Sequence, residues 1–330
     1  MASLLTRLRS ASVLIQFLAM GLVWGASFLF MKVALTGVSF GQVAWTRSIL
    51  GALTLAIVFA ISRSRLPRDP RVLAHFVVLA VVNCVAPYLL YAWAEQYVAS
   101  SLASIYNAVT PIMTALMVSL AFRVERLTRG QLLGILIGTL GVLVIIGPWR
   151  PGALAGTLFG QLACLLATVC YGFTYGYTRR FLAPRRLPGL TLATLNIGLA
   201  GVIMVLLTPV LAWRPMHLDI WIVGSLVLLG ALGTGFAYVW NFTVMQRWGA
   251  TGASTVTYLT PVVGVALGIL LLGERLSWNE PLGAVLVLVG ILFTQQRLRL
   301  GRGDGAAASA SDAVAPEAVA EDALESEHER

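Results

Sequence analysis

Long apolar runs, broken by short turns that carry arginine, proline or glycine, fill the chain from residue 13 to residue 295. A helix that crosses a bilayer takes about 20 apolar residues. Ten such runs are predicted, over 13–34, 43–62, 73–94, 102–122, 131–147, 156–178, 190–211, 221–245, 255–272 and 281–295. Backbone groups in lipid must be bonded within their own helix or within a closed barrel. The short alternating segments of a barrel are absent, so the runs are predicted as helices. Their polar positions recur at helical spacing. Cys84, Tyr88, Tyr91 and Glu95 share one face of the third run, and Thr234, Tyr238, Asn241 and Met245 share one face of the eighth. Lipid disfavours such a stripe, so both faces are expected to look inward. Two roles stand open for them: lining a cavity, or bonding neighbouring helices.

The chain also says nearly the same thing twice. Ala103, Ser104, Thr110 and Pro111 match Ala253, Ser254, Thr260 and Pro261 at an offset of 150. Glu125-Arg126-Leu127-Thr128 matches Glu274-Arg275-Leu276-Ser277 at an offset of 149, a register that also pairs Gly134 with Gly283 and Gly141 with Gly290. A duplicated membrane-embedded half is the usual mark of a secondary transporter. Five runs per half is an odd number, so the second half is expected to be inverted relative to the first.

Composition narrows the class. The hydrophobic share is 58%, the charged share 11% and the mean hydropathy +0.85, against about 25% charged residues in a soluble domain. The net charge of +9 comes from arginines in the turns and does not point to nucleic acid. With the N-terminus in the cytoplasm, 17 arginines fall on the inner side and Arg150, Arg214 and Arg275 on the outer. That bias supports ten spans with both ends inside. Residues 1–12 form the cytoplasmic N-terminus; they resemble a signal n-region, but the following run is long enough to span and is kept as an anchor. Residues 303–330, rich in alanine, serine and acids, are expected to be a disordered cytoplasmic tail. Cys84, Cys164 and Cys170 lie inside apolar runs and are expected to be free thiols.

Trp24-Gly25 with Phe28, the proline-bearing fourth and ninth runs, the paired Glu-Arg-Leu turns and the glycine-rich fifth and tenth runs carry a resemblance. The chain resembles ten-helix members of the drug/metabolite transporter superfamily, with two EamA-type repeats at 13–147 and 156–295. The resemblance implies a basket whose central cavity is lined by helices 1, 3, 4, 6, 8 and 9. It also implies efflux or exchange of small metabolites, often amino acids.

The residues themselves add candidates. Pro111 and Pro261 free the carbonyls of residues 107 and 257, which belong to Asn107 and Thr257, so both prolines are expected to act as hinges. Trp24 and Phe28 correspond to Tyr171 and Tyr175 at an offset of 147, and Lys32 to Arg179. Such aromatics serve either packing or substrate contact. Lys32 is expected to snorkel to the outer surface. Arg47 is a charge inside a span, with two readings: an interfacial anchor, or a receptor for a substrate carboxylate. The expected substrate-binding set is Trp24, Phe28, Arg47, Tyr88, Tyr91, Asn107, Tyr171, Tyr175, Tyr238, Asn241 and Thr257. No span centre holds Asp, Glu or His, which argues against a buried proton relay. No His/Cys cluster has metal-ligand spacing and no glycine-rich loop cradles a nucleotide, so no metal, no cofactor and no enzymatic activity are expected. The expected partners are the lipid bilayer and a small-molecule substrate, with no nucleic acid. The expectation is an all-α, multi-pass transporter of the cell (plasma or inner) membrane. It would export an amino acid or related metabolite by alternating access. Efflux of toxic compounds and lipid handling are the alternatives.

Overall fold

The computed structural model describes residues 2–64, 66–149, 157–185, 187–254 and 256–295. The acidic tail at 303–330 and Arg65, Arg150, Arg186, Arg297, Arg299 and Arg302 lie outside the described residues. Among the described residues there are helices and turns and no strand. Eight helices are long and apolar enough to cross a membrane: α1 (Ser12–Ala34), α2 (Phe40–Ile61), α3 (Pro70–Ala94), α4 (Ser100–Ala121), α5 (Arg129–Ile146), α6 (Leu158–Arg185), α7 (Gly189–Leu206) and α8 (Ile220–Asn241). Two shorter apolar helices, α9 (Val256–Leu272) and α10 (Asn279–Thr294), complete the bundle. Most ends fall within three residues of the predicted ones. The exceptions are four, and one of them is α6, which runs seven residues past the predicted end through a π-helical and a 3-10 turn to Arg185. The helix of α1 already starts at Ala2, and that of α8 runs on to Ser254. α7 stops at Leu206, before a separate turn, Thr208–Leu211, that Pro209 opens.

The helix ends are written into the turns. Ser39 with Gln42 caps α2, and Thr128 with Gln131 caps α5, each by a reciprocal pair of side-chain and backbone bonds. Asp69 accepts from the Arg71 amide ahead of α3, with Pro70 in its first turn. Gly147 and Gly273, both at positive φ, end α5 and α9.

The repeats pack about a pseudo-two-fold axis. α1 lies on α9 as α6 lies on α4, and α2 lies on α8 as α7 lies on α3. The axis runs between α5 and α10, which touch through backbone. A Cβ added at Gly134 would come 2.5 Å from the Gly290 carbonyl, and one at Gly290 would come 2.6 Å from that of Gly134. Gly141 and Gly283 repeat the arrangement one level away, at 2.8 and 2.6 Å. Small residues let membrane helices approach this closely.

The bundle has two unlike ends. One carries the turns at 62–69 and 121–128 and the arginine-bearing end of α6, Arg179, Arg180 and Arg185; the other carries the turns at 35–39, 95–99, 212–219 and 273–278. At the arginine-poor end α4 and α9 converge. There α9 packs on the Ser100–Asn107 part of α4, and an added Cβ at Gly264 would meet Ser104 Oγ at 2.6 Å. The Thr110–Leu116 part of α4 packs instead on α6, α10 and α5.

Helical regularity fails at related places. α3 is π-helical over Ala80–Val85 and α8 over Leu228–Phe236, positions that correspond in the two repeats. α4 is interrupted at Ala108 and Val109, just before Pro111. The carbonyl of Asn107, which Pro111 cannot bond, accepts instead from the Thr110 hydroxyl at 2.7 Å. It is therefore not the spare acceptor that the proline pattern suggested. Pro261, by contrast, sits inside a continuous α9.

The α5–α10 contact yields a test. Gly141→Val places methyl groups against the backbone of α10 and is expected to lower stability by about 1–3 kcal/mol, the usual cost of overpacking. Gly198→Ala, at a position with nothing within 4 Å, is expected to be neutral. Thermal unfolding of the detergent-purified variants compares the two; equal midpoints would refute the close-contact account.

Candidate functional site

Arg47 is the charge at the centre of the bundle. It lies about two turns into α2, and its side chain turns inward, leaving the residue 9% exposed. It does not reach the aqueous surface at the near end of α2, as the anchor reading required. Nε donates to Thr234 Oγ1 at 3.0 Å, and Cζ stands 4.0 Å over the Tyr88 ring. The π-helical stretch of α8 orients Thr234, whose hydroxyl donates to the Leu229 carbonyl five residues back and so turns a lone pair to Arg47. The ion pairs among the described residues are Arg179–Glu125 and Arg185–Asp69. Arg47 has no carboxylate partner among them, and only its Nε is hydrogen-bonded there.

Aromatic side chains surround this cation. Phe28 meets Tyr91 edge-on, with ring centroids 5.5 Å apart, and Tyr91 stacks on Tyr171 at 6.3 Å. The Tyr91 hydroxyl donates to Asn107 Oδ1 at 3.2 Å. Trp24 meets Tyr238 edge-on at 5.9 Å, and its Nε1 donates to the carbonyl of Gly233, the residue before Thr234. The Tyr88 hydroxyl is buried beside the Cys84 thiol and makes no hydrogen bond of ordinary geometry among the described residues. Six helices therefore contribute: α1, α2, α3, α4, α6 and α8. Two pockets lie at the ends of the bundle. One of about 540 Å³ is formed by the 121–128 turn, and one of about 450 Å³ lies around Gly37 and His217.

The two Glu-Arg-Leu turns differ. Glu274 reaches the first turn of α4 and accepts from the Ser100 amide at 2.7 Å, the Ser100 hydroxyl at 2.9 Å, the Ser101 amide at 2.9 Å and the Ser101 hydroxyl. Glu125, its counterpart, is exposed at the arginine-rich end and pairs with Arg179. Lys32 does not snorkel outward. Its ammonium donates to the carbonyl of Val98 at 2.8 Å and to that of Glu95, both in the 95–99 turn.

The comparisons with known proteins agree with this architecture. The profile of the EamA-like transporter family matches residues 11–147 and again residues 158–295. The chain belongs to that family. Its members are transporters, not enzymes. An "Uncharacterized transporter YoaV" of Bacillus subtilis is 23% identical over 287 residues, 85% of this chain and 96% of its own length. A "Probable terminal-alkyne amino-acid exporter" of Streptantibioticus cattleyicolor is 26% identical, covering 84% of this chain and 91% of its own. A "Probable amino-acid metabolite efflux pump" of Escherichia coli is 25% identical, covering 84% and 92%. One solved crystal structure shares the fold with a TM-score of 0.60 at 19% identity, covering 88% of this chain and 100% of that one.

In this EamA protein the structure gathers eight of the expected residues: Trp24, Phe28, Arg47, Tyr88, Tyr91, Asn107, Tyr171 and Tyr238. The other three are placed differently. Tyr175, one turn beyond Tyr171, is 58% exposed yet still neighbours Tyr171 and Tyr238. Asn241 and Thr257 are half-buried at the end of α8 and the start of α9. Thr234 was visible on the polar face of the eighth run but was not singled out. The Glu95–Lys32–Glu274 group was missed because its members come from three segments far apart in sequence.

The Tyr88 ring gives the next prediction. Tyr88→Phe removes only an unbonded hydroxyl and keeps the ring under Arg47, so stability is expected to hold. Tyr88→Leu removes the ring face from a desolvated cation and is expected to cost about 2 kcal/mol. Thermal unfolding again compares them, and a Phe variant as unstable as the Leu variant would contradict the ring–cation account.

Proposed function

We propose that this EamA protein exports a small carboxylate, an amino acid or a close relative, by alternating access, with Arg47 as the carboxylate receptor. The observation that carries the reading is a buried guanidinium that, among the described residues, has no anion and uses only its Nε and one ring face. A planar fork matches a carboxylate by two parallel hydrogen bonds. The rings of Trp24, Tyr88, Tyr91, Tyr171 and Tyr238 suit the apolar part of such a molecule, and Asn107 offers a neutral polar contact. The printed names of two relatives, an amino-acid exporter and an amino-acid metabolite efflux pump, favour the same class. A cationic drug would meet an uncompensated positive charge. The paired α4 and α9, locked at the arginine-poor end by Glu274, support a state shut at that end. The exposed Glu125 supports the opposite end as the open one. In the full cycle Pro111 and Pro261 serve as flex points.

Placement follows from charge. The arginine-rich end faces the cytoplasm of a cell membrane, and the arginine-poor end faces outward. Single cysteines in the turns at 63–72, 123–130 and 179–188 are expected to resist an impermeant thiol reagent in intact cells. Labelling of two of these turns from outside would reverse the orientation.

Export of radiolabelled L-amino acids from vesicles of purified protein tests the receptor. Loss of a charge-assisted contact costs about 1.5–3 kcal/mol, or about 10- to 150-fold in affinity. Arg47→Gln is expected to lose that much, and Arg47→Lys, which keeps the charge without the fork, to lie between. Unchanged amino-acid export by Arg47→Gln would remove Arg47 from the site.

A further inference from the structure

Two carboxylates and one ammonium meet at the outer end of the bundle, and only one of the carboxylates has hydrogen bonds. Glu274 accepts four from Ser100 and Ser101. Glu95, the residue after α3, is 0% exposed, and neither of its carboxyl oxygens has a partner. Lys32 stands beside it but bonds the main-chain carbonyls of Glu95 and Val98, and makes no ion pair with the carboxyl. The charged and titratable groups around Glu95 are Lys32 of α1, Arg47 of α2, Tyr91 of α3, Cys164 of α6 and Glu274 of the 273–278 turn. None of them is hydrogen-bonded to its carboxyl.

An ionised carboxylate is costly in that position, whereas a protonated one is not. Burial pushes the Glu95 carboxyl well above the usual carboxylate range, Lys32 opposes the shift and Glu274 adds to it. Burial acts against the ionisation of Glu274 as well, but the bonds from Ser101 and Ser100 outweigh it and hold that carboxyl below its usual range. Neighbouring carboxyls pushed apart in this way divide into an acid and an anion.

We propose that Glu95 is a proton-binding site tied to the outer gate: it holds a proton while Glu274 keeps the gate shut, and releases it to outside water as the gate opens. In the shut state Lys32 is balanced by the Glu274 carboxylate and Glu95 is neutral. When the 273–278 turn withdraws, the Glu95 carboxyl gives its proton to water, and the resulting carboxylate balances Lys32 in place of Glu274. One cation is matched by one anion in both states. The site rests on the alternating-access reading and on the outward placement of this end, not on Arg47 as the receptor.

The sign of the pH dependence follows. Glu95 binds its proton more tightly when the gate is shut, so acid favours the shut gate. That preference is lost as pH rises through the raised value. Glu274 acts in the opposite sense, favouring the shut gate above the ordinary carboxylate range. Its contribution is complete above about pH 5, so a response nearer neutrality belongs to Glu95.

Infrared titration of the purified full chain in lipid nanodiscs reads the site without any substrate. A protonated-carboxyl band is expected at about pH 7, far above the ordinary carboxylate range. It should vanish in Glu95→Gln, weaken or move to lower pH in Glu274→Gln, which unlocks the gate and leaves Lys32 to Glu95, and return in Glu95→Asp, which also controls for folding. Gate opening is read by reaction of an impermeant thiol reagent with Val98→Cys, relative to Leu218→Cys in an exposed turn. Relative labelling should rise several-fold between about pH 6 and pH 8.5, either side of neutrality, and stay low throughout when Glu95→Gln is added. Absence of the band, or its survival in Glu95→Gln, overturns the proton site. Labelling that ignores pH, or that keeps its pH response without Glu95, overturns the link to the gate. The Arg47 variants of the transport assay are read separately, so failure of either idea leaves the other distinguishable.

Discussion

In a bilayer no water reaches the hydrocarbon to bond a stray amide or carbonyl, and the rest of this structure follows from that rule. Every apolar run is a helix because a helix bonds its own backbone. Departures from regular geometry then need an internal partner, and the structure shows where each is found. The interruption in α4 is closed by the Thr110 hydroxyl on the Asn107 carbonyl. The π-helical stretch of α8 gives Thr234 a carbonyl five residues back. These irregular places adjoin Tyr88, Tyr238 and Arg47, so the backbone is least regular where polar side chains gather.

Charge obeys the same rule less strictly, because long side chains can find substitutes for water. Arg47 has one hydroxyl and one ring face in place of a solvation shell. Lys32 has two main-chain carbonyls of the turn between α3 and α4. Glu274 has a full set of donors, as an anion at a helix start should. Glu95 has none, and burial without donors favours its neutral form. The hydrogen-bond donors around Glu274, and their absence around Glu95, thus set two neighbouring carboxyls apart.

Much of this was legible in the chain. Lipid makes length and apolarity nearly sufficient to find helices, and the offsets near 150 paired the two halves, down to the glycines that meet across α5 and α10. The polar face of the third run was read correctly as inward, and Cys84, Tyr88, Tyr91 and Glu95 are all buried. What failed depends on contacts between distant segments. Lys32 looked like a snorkelling residue because spacing cannot show that the 95–99 turn offers it carbonyls. Tyr175 corresponds to Phe28, yet Phe28 is buried against Tyr91 while Tyr175 is exposed. Glu125 and Glu274 sit in nearly identical turns, and no local signal tells which one is docked. That difference belongs to the conformation rather than to the residues.

The pseudo-two-fold axis has an energetic corollary. Exchanging the roles of the two halves would shut the arginine-rich end with a set of contacts like those that now shut the other. Two such arrangements begin close to equal in free energy, because one is nearly a relabelling of the other. The gap between them comes from positions where the copies disagree, such as Arg47 against Asn196 and Glu95 against Met245. Turning a 1:99 population into 99:1 takes about 5.5 kcal/mol of differential binding, within reach of a small molecule and a proton together. Duplication thus supplies the degeneracy and divergence supplies the bias: a perfectly symmetric pair of repeats would have no preferred side at rest.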